Sequence, residues 1–248
     1  MIDAWHMFPV TMGEDQAWIV FNNGYAEVAE ADPRHYIFRV GVAFQEADEN
    51  GMPTNEEFPK ITALDELLED NIAKLNGVYI GRVTVRGHRY FYYYLDITEE
   101  QLKPVIADAE QKAGYKIEYT YQEDIEKQFY WNELYPTQDD WRVIKDMQVL
   151  DALAEHGDNP ETKREIMHWA YFTVQNASVG FADWAKEEGY TITYQGAVEK
   201  GEGYMVQFSH TGAAHLWDVS PYTVSINRKA AELGGDYDGW ETRIETGQ

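Results

Sequence analysis

The C-terminal half of the chain carries an order of hydrophobic patterns that few folds can satisfy. After a helical pattern and a loop, the chain alternates between strand periodicity and helix periodicity. The order is strand, helix, strand, strand, helix, strand, over Arg164–Val174, Ser178–Glu188, Tyr190–Gln195, Tyr204–His210, Pro221–Leu233 and Gly239–Glu245. Two β-α-β units in this order form a four-stranded antiparallel sheet with both helices on one face. The sequence therefore predicts a ferredoxin-like α+β sandwich.

Short local signals set the ends of these elements. Ser220 predicts the N-cap of the last helix and Pro221 its first residue. The segment 234–241 reads Gly-Gly-Asp-Tyr-Asp-Gly-Trp-Glu. A glycine pair after an apolar helical pattern is a stop signal. Asp-Gly then predicts a turn into a short terminal strand.

A helix precedes the sandwich and begins at a sharp boundary. Thr137 follows Leu134-Tyr135-Pro136 and is a good N-cap for a helix that runs to about His156. We therefore predict two domains, residues 1–134 and residues 137–248.

The N-terminal half reads as a second α+β domain, of antiparallel strands and two helices. Predicted strands are Gln16–Phe21, Tyr36–Phe44, Val78–Val85, His88–Leu95 and the pattern at 115–121, with a hairpin turn at Arg86-Gly87. Predicted helices are Ile61–Asn76, with a capping box of Thr62 and Asp65 and a stop at Gly77, and a helix opened by Thr98 with Gln101 and ended by Gly114.

Charge limits the partners that this chain can bind. With 20 basic and 44 acidic residues its net charge is −24, which repels phosphate and attracts basic partners. The aromatic run His88–Tyr94 is of the kind that stacks RNA bases, but so acidic a domain favours a strand buried on both faces or a protein-contact face. We predict no direct nucleic-acid binding.

The remaining composition favours a soluble protein of the cytoplasm. The chain has no cysteine, which excludes disulfides and thiol chemistry. Met1–His6 has neither a basic nor an apolar stretch of a signal peptide, and no apolar run is long enough for a membrane helix.

No catalytic motif is present in the sequence. Asp236, Asp238 and Glu241 resemble half of a calcium loop, but the full spacing is missing, so we predict no metal and no cofactor. His168 and His210 lie on predicted strands of one sheet and could therefore meet in space, but histidines that are either hydrogen-bonded in the interior or exposed are the favoured interpretation.

The C-terminal half resembles a bacterial protein family, the regulator of ribonuclease E activity B. The resemblance spans about residues 137–248 and is most specific in its last motif. Its residues are Gly157-Asp158-Asn159-Pro160, Arg164, Ile166, His168, Trp169, Tyr171, Phe172, Gly189-Tyr190 and the segment 234–241. It implies a ferredoxin-like, non-enzymatic protein that binds ribonuclease E and restrains RNA turnover. Residues 1–134 resemble a domain family of unknown function that is found fused ahead of it.

These observations together predict a regulator that binds a protein. The expected partner is ribonuclease E, or a basic segment of a related nuclease, bound by the acidic surface. The expected contact residues are Asp236, Tyr237, Asp238, Trp240 and Glu241, because tryptophan anchors interfaces and carboxylates suit arginine. Two alternatives stay open: a turn that only locks the last strand, and a metal-dependent hydrolase or ligand-binding protein with a site between the domains.

Overall fold

The computed structural model describes residues 3–199 and 201–246. The chain divides into two compact units, Met1–Pro136 and Thr137–Gln248. The first two residues of the Met1–His6 segment lie outside the described residues. Among the helices described, none has the length and apolar character that crossing a bilayer requires.

The N-terminal unit is a six-stranded antiparallel sheet with two helices, and the sequence predicted five of these strands and both helices. Its strands are β1 (Trp5–Met12), β2 (Asp15–Asn22), β3 (Tyr36–Ala43), β4 (Val78–Val85), β5 (His88–Leu95) and β6 (Ile117–Glu123), and its helices are α1 (Phe58–Ala73) and α2 (Glu99–Ala113). The strand order is β1-β2-β4-β5-β3-β6. The sequence did not predict β1, an edge strand that contains Pro9 and buries only Phe8 and Pro9.

The aromatic strand β5 is buried on both faces, which confirms the prediction. Phe91 and Tyr93 belong to the core that α1 and α2 cover. Tyr92 and Tyr94 point to the other face, where their hydroxyls donate to Glu133 at 2.7 Å and to Asp124 at 2.6 Å. The run therefore serves the interior of this unit.

The predicted start of α1 is wrong by three residues. The helix begins at Phe58, with Pro59 in its first turn, and the hydroxyl of Thr62 donates to the carbonyl of Phe58 at 2.9 Å instead of forming a capping box. Pro59 supplies the fixed φ that suits a first turn, so the helix starts earlier. The predicted capping box of Thr98 and Gln101 is present at the start of α2.

The C-terminal unit has the predicted ferredoxin-like topology. Its elements are α3 (Gln138–Glu155), β7 (Arg164–Phe172), α4 (Gln175–Glu187), β8 (Thr191–Ala197), β9 (Tyr204–Gly212), α5 (Leu216–Glu232) and β10 (Gly235–Thr242). The strand order β10-β7-β9-β8, with all pairs antiparallel, is the order that two interleaved β-α-β units produce. The helix α3 is added ahead of them.

The two faces of this sheet differ. Residues 166, 168, 170 and 172 of β7 are buried under α4 and α5, where Phe181 and Ile226 fill the core. A smaller cluster adds Leu153 of α3 and Trp240 of β10 to the same side. The opposite side, which we call the open face, carries the alternate residues of each strand.

The predicted start of α5 is also wrong. The helix begins at Leu216, so Ser220 and Pro221 lie inside it. The buried residues Val219, Thr223, Ile226 and Ala230 form one stripe of the helix that begins upstream of Pro221, and burial of that stripe outweighs the one hydrogen bond that proline removes. Gly234, with φ of 71°, ends the helix, and β10 starts at Gly235, four residues before the predicted start.

Candidate functional site

The terminal segment forms β10, an edge strand of the four-stranded sheet. Asp236, Asp238 and Glu241 are exposed. Tyr237 and Trp240 keep only 2% and 6% of their surface accessible. The segment therefore presents its carboxylates outward and its rings inward.

A β-bulge makes this division possible. Tyr237 pairs with Ala170 and Gly239 pairs with Trp169, so Asp238 is an extra residue in the strand. Gly239 has φ of 150°, which a side chain rarely adopts. Side chains three apart in a regular strand point to opposite faces. The extra residue turns Trp240 back to the covered face beside Tyr237.

A buried carboxylate on α3 holds both rings in place. Trp240 Nε1 donates to Asp146 Oδ1 at 2.9 Å, and the hydroxyls of Ser220 and Thr223 donate to Asp146 Oδ2. Arg142 pairs with Asp146 at 3.3 Å and lies 5.1 Å above the ring centre of Tyr237. Burial raises the pKa of the Asp146 carboxyl. This carboxylate links three separate elements, α3, α5 and β10.

Two histidines meet on the covered side of the sheet, which the sequence allowed but did not predict. His168 Nδ1 shares a hydrogen bond of 2.7 Å with the Tyr237 hydroxyl, and His168 Nε2 shares one of 3.0 Å with His210 Nδ1. His210 stacks on Tyr222 with ring centres 4.4 Å apart, and Tyr222 is 45% exposed. Burial lowers the pKa of His168 to about 3, and burial also lowers the pKa of His210.

These histidines predict an acid-sensitive domain. A neutral buried histidine contributes stability that is fully present above the unfolded pKa of about 6.5 and is lost as pH falls toward the folded pKa. We expect unfolding free energy to drop by about 1.4 kcal/mol between pH 7.5 and 5.5 from His168 alone. Urea titrations of the full chain at both pH values measure this.

The variant His168→Gln isolates that contribution, because the other titrating groups are the same in both proteins. The drop between the two pH values should shrink by about 1.4 kcal/mol in this variant. It should persist in the control His156→Gln, whose side chain is exposed. An equal drop in all three proteins contradicts the assignment.

The stacked rings of His168, His210 and Tyr222 reach the surface at a cleft of about 430 Å³. His210 and Tyr222 line it with Glu165, Glu188 and Ser209. Ser209 donates to Glu165 at 2.8 Å. Within the described residues no group of three or more histidine or carboxylate side chains is arranged to hold a metal, and this includes Asp236, Asp238 and Glu241.

Most arginine and lysine side chains of this unit form ion pairs within the unit. The pairs are Arg142–Asp146, Arg164–Asp158, Lys186–Asp183, Arg228–Asp139, Lys229–Glu232 and Arg243–Glu245. None of these reaches Asp236, Asp238 or Glu241, which form no ion pair within the described part of the chain. The charge on β10 therefore stays available to a partner.

The sequence did not single out Arg142 and Asp146, although they carry the geometry of the segment. Their only local signal is the i, i+4 spacing of opposite charges on α3, which usually marks an exposed helix face. What distinguishes them is burial, since Arg142 is 4% exposed and Asp146 is fully buried.

Two family models match the chain. The model described as Family of unknown function (DUF695) matches residues 3–135, which is more than half of the chain. The model described as Regulator of ribonuclease activity B matches residues 143–242. No curated protein matches. A solved structure described as an unknown protein from Galdieria sulphuraria is 9% identical, covers 85% of this chain and 99% of its own, and has a TM-score of 0.22.

Proposed function

Since the chain belongs to the DUF695 family of unknown function and carries a regulator of ribonuclease activity B domain, which implies a regulator of ribonuclease activity, we propose that it acts without catalysis by binding ribonuclease E. The proposed contact is between the acidic surface of the C-terminal domain and a basic segment of the nuclease. The absence of cysteine agrees with the cytoplasmic setting that we propose for this protein.

The observation that carries this proposal is the unpaired charge on β10. Asp236, Asp238 and Glu241 project from a strand that Asp146 fixes through Trp240. Carboxylates on a rigid strand lose little conformational entropy on binding. In this proposal the three carboxylates contact the partner, whereas Tyr237 and Trp240 set the position of the strand from inside.

Regulation follows from competition for cations. Arginine forms charge-assisted hydrogen bonds with carboxylates and with phosphates through the same planar donors. An acidic domain that occupies an arginine-bearing segment removes those donors from RNA. Because such contacts are screened by salt, binding should weaken as ionic strength rises.

The test is the affinity of the full chain for ribonuclease E, measured by calorimetry at 50 and 300 mM salt. We expect the variant D236N/D238N/E241Q to bind about 100-fold more weakly at low salt, because three lost charge-assisted contacts of about 1 kcal/mol each sum to about 3 kcal/mol. The control D151N/E155Q/E187Q removes three exposed charges from α3 and α4, so its net charge equals that of the β10 variant.

The two triple variants separate local contact from overall charge. Weaker binding by the β10 variant alone supports the proposed contact. Equal weakening in both variants shows that only net charge matters, which overturns the assignment to β10. Affinity that does not change with salt overturns the electrostatic mechanism.

A further inference from the structure

The open face of the C-terminal sheet combines aromatic, methionine and acidic side chains. Strand register places on it Glu165, Met167, Trp169 and Tyr171 from β7, Met205, Gln207, Ser209 and Thr211 from β9, Asp236, Gly239 and Glu241 from β10, and Thr191, Tyr194 and Gly196 from β8. Among these described positions three are carboxylates and none is lysine or arginine. The centre is aromatic and methionine-rich, and the acids lie toward its rim.

The register brings rings and carboxylates side by side. Tyr171 lies directly opposite Asp236, and Met167 lies opposite Glu241. Trp169 lies opposite Gly239, which has no side chain to cover the indole. Directly opposite residues in an antiparallel pair have side chains about 5 Å apart. A group that stacks on Tyr171 is therefore within reach of the Asp236 carboxylate.

A cleft of about 320 Å³ continues this face at one end of the sheet. Tyr171 and Tyr204 line it together with Asp236 and Glu202, which is in the hairpin between β8 and β9. Both carboxylates are exposed. The cleft therefore brings together two acids and two tyrosines, of which Tyr171 lies on the open face and Tyr204, the register partner of Phe172, lies on the covered face.

This chemistry suits a guanidinium group better than a nucleic acid. Aromatic residues on a four-stranded sheet stack RNA bases in RNA-recognition modules, but those surfaces also carry cations for the phosphates. The charged residues that strand register places on the open face are instead all acids. Arginine stacks on aromatic rings and forms bidentate hydrogen bonds with carboxylates, so it uses both features at once.

We propose that the open face is the docking surface for an extended, arginine-bearing segment of a protein partner, with one arginine in the cleft beside Asp236 and Glu202. This inference rests on the proposed function for the identity of the partner. It adds the surface, the aromatic contacts and a preference for arginine over lysine, because lysine lacks the planar donors.

The test uses the full chain and three fluorescein-labelled probes: a 12-residue peptide of alternating arginine and serine, the same peptide with lysine, and single-stranded RNA. The variant W169A/Y171A removes two rings from the open face. The control W217A/Y222A removes two exposed rings from α5. We expect the first variant to bind the arginine peptide about 10-fold more weakly and the control to bind it unchanged.

The variant W169F/Y171F keeps the rings and should retain most of the affinity. Urea unfolding of each variant verifies that it folds. Equal affinity of the original protein for both peptides, no loss in W169A/Y171A, or tighter binding of RNA than of the arginine peptide would each overturn the inference.

A parallel measurement with ribonuclease E separates this inference from the proposed function. If W169A/Y171A binds the nuclease normally while the β10 triple variant does not, the proposed function stands and the open face is excluded. If the arginine peptide binds the open face but ribonuclease E does not bind the protein, the surface stands and the identity of the partner is wrong.

Discussion

The variant Asp146→Ala is expected to lower the unfolding free energy by about 4 kcal/mol. The substitution leaves the guanidinium of Arg142 buried without its counter-ion and removes the acceptor of three donors, Trp240 Nε1 and the hydroxyls of Ser220 and Thr223. Removing one partner of a buried ion pair costs far more than removing an exposed one, because the remaining charge cannot be solvated.

Urea unfolding of the full chain, followed by circular dichroism, measures this effect. The matched control is Asp139→Ala on the same helix, which breaks the exposed pair with Arg228 and should cost less than about 1 kcal/mol. Equal costs for the two variants would show that Asp146 does not anchor the segment. If the Asp146→Ala variant loses ribonuclease binding under conditions in which the variant remains folded, Asp146 also positions β10.

The variant Gly235→Ala is expected to destabilise the protein by about 3 kcal/mol. A Cβ atom at this position would overlap the buried ring of Phe172 and lie 2.7 Å from the backbone carbonyl oxygen of Tyr171. Neither can move freely, since Phe172 belongs to the core and Tyr171 pairs across the strands with β10.

The neighbouring glycine provides the control for this prediction. Gly234 has φ of 71°, and a Cβ atom added there would have no contact within 4 Å. Gly234→Ala should therefore cost about 1 kcal/mol, from backbone strain alone. Thermal unfolding measures both variants. If Gly234→Ala were the more damaging of the two, close packing would not explain Gly235.

The sequence predicted most of the fold because its signals are local. Thr98 and Thr137 cap the helices that they were expected to cap, and each forms a capping box with a residue in the first turn of its helix. The turn at Arg86-Gly87 needs two positive φ values in succession, which the structure shows. The order of patterns after residue 164 then leaves one simple topology.

The errors in the C-terminal unit arise where distant contacts override a local signal. Ser220 next to Pro221 is a good helix start by its neighbours, but its hydroxyl donates to Asp146, 74 residues earlier in the chain. The bulge at Asp238 depends on the same buried carboxylate, which accepts a hydrogen bond from Trp240 Nε1. Nothing in the segment 234–241 by itself indicates which of its residues point inward, so five contact residues were predicted where three are exposed.

The acids of the open face also affect how two copies of this protein meet. Proteins that contain β-sheets self-associate through edge strands and through exposed aromatic sheet faces. Two copies that approach in this way bring Asp236 and Glu241 against their own equivalents, and the like charges push them apart. Added salt screens that repulsion and the attraction to a cationic partner together. Raising the ionic strength should therefore favour self-association of the domain over binding to a cationic partner.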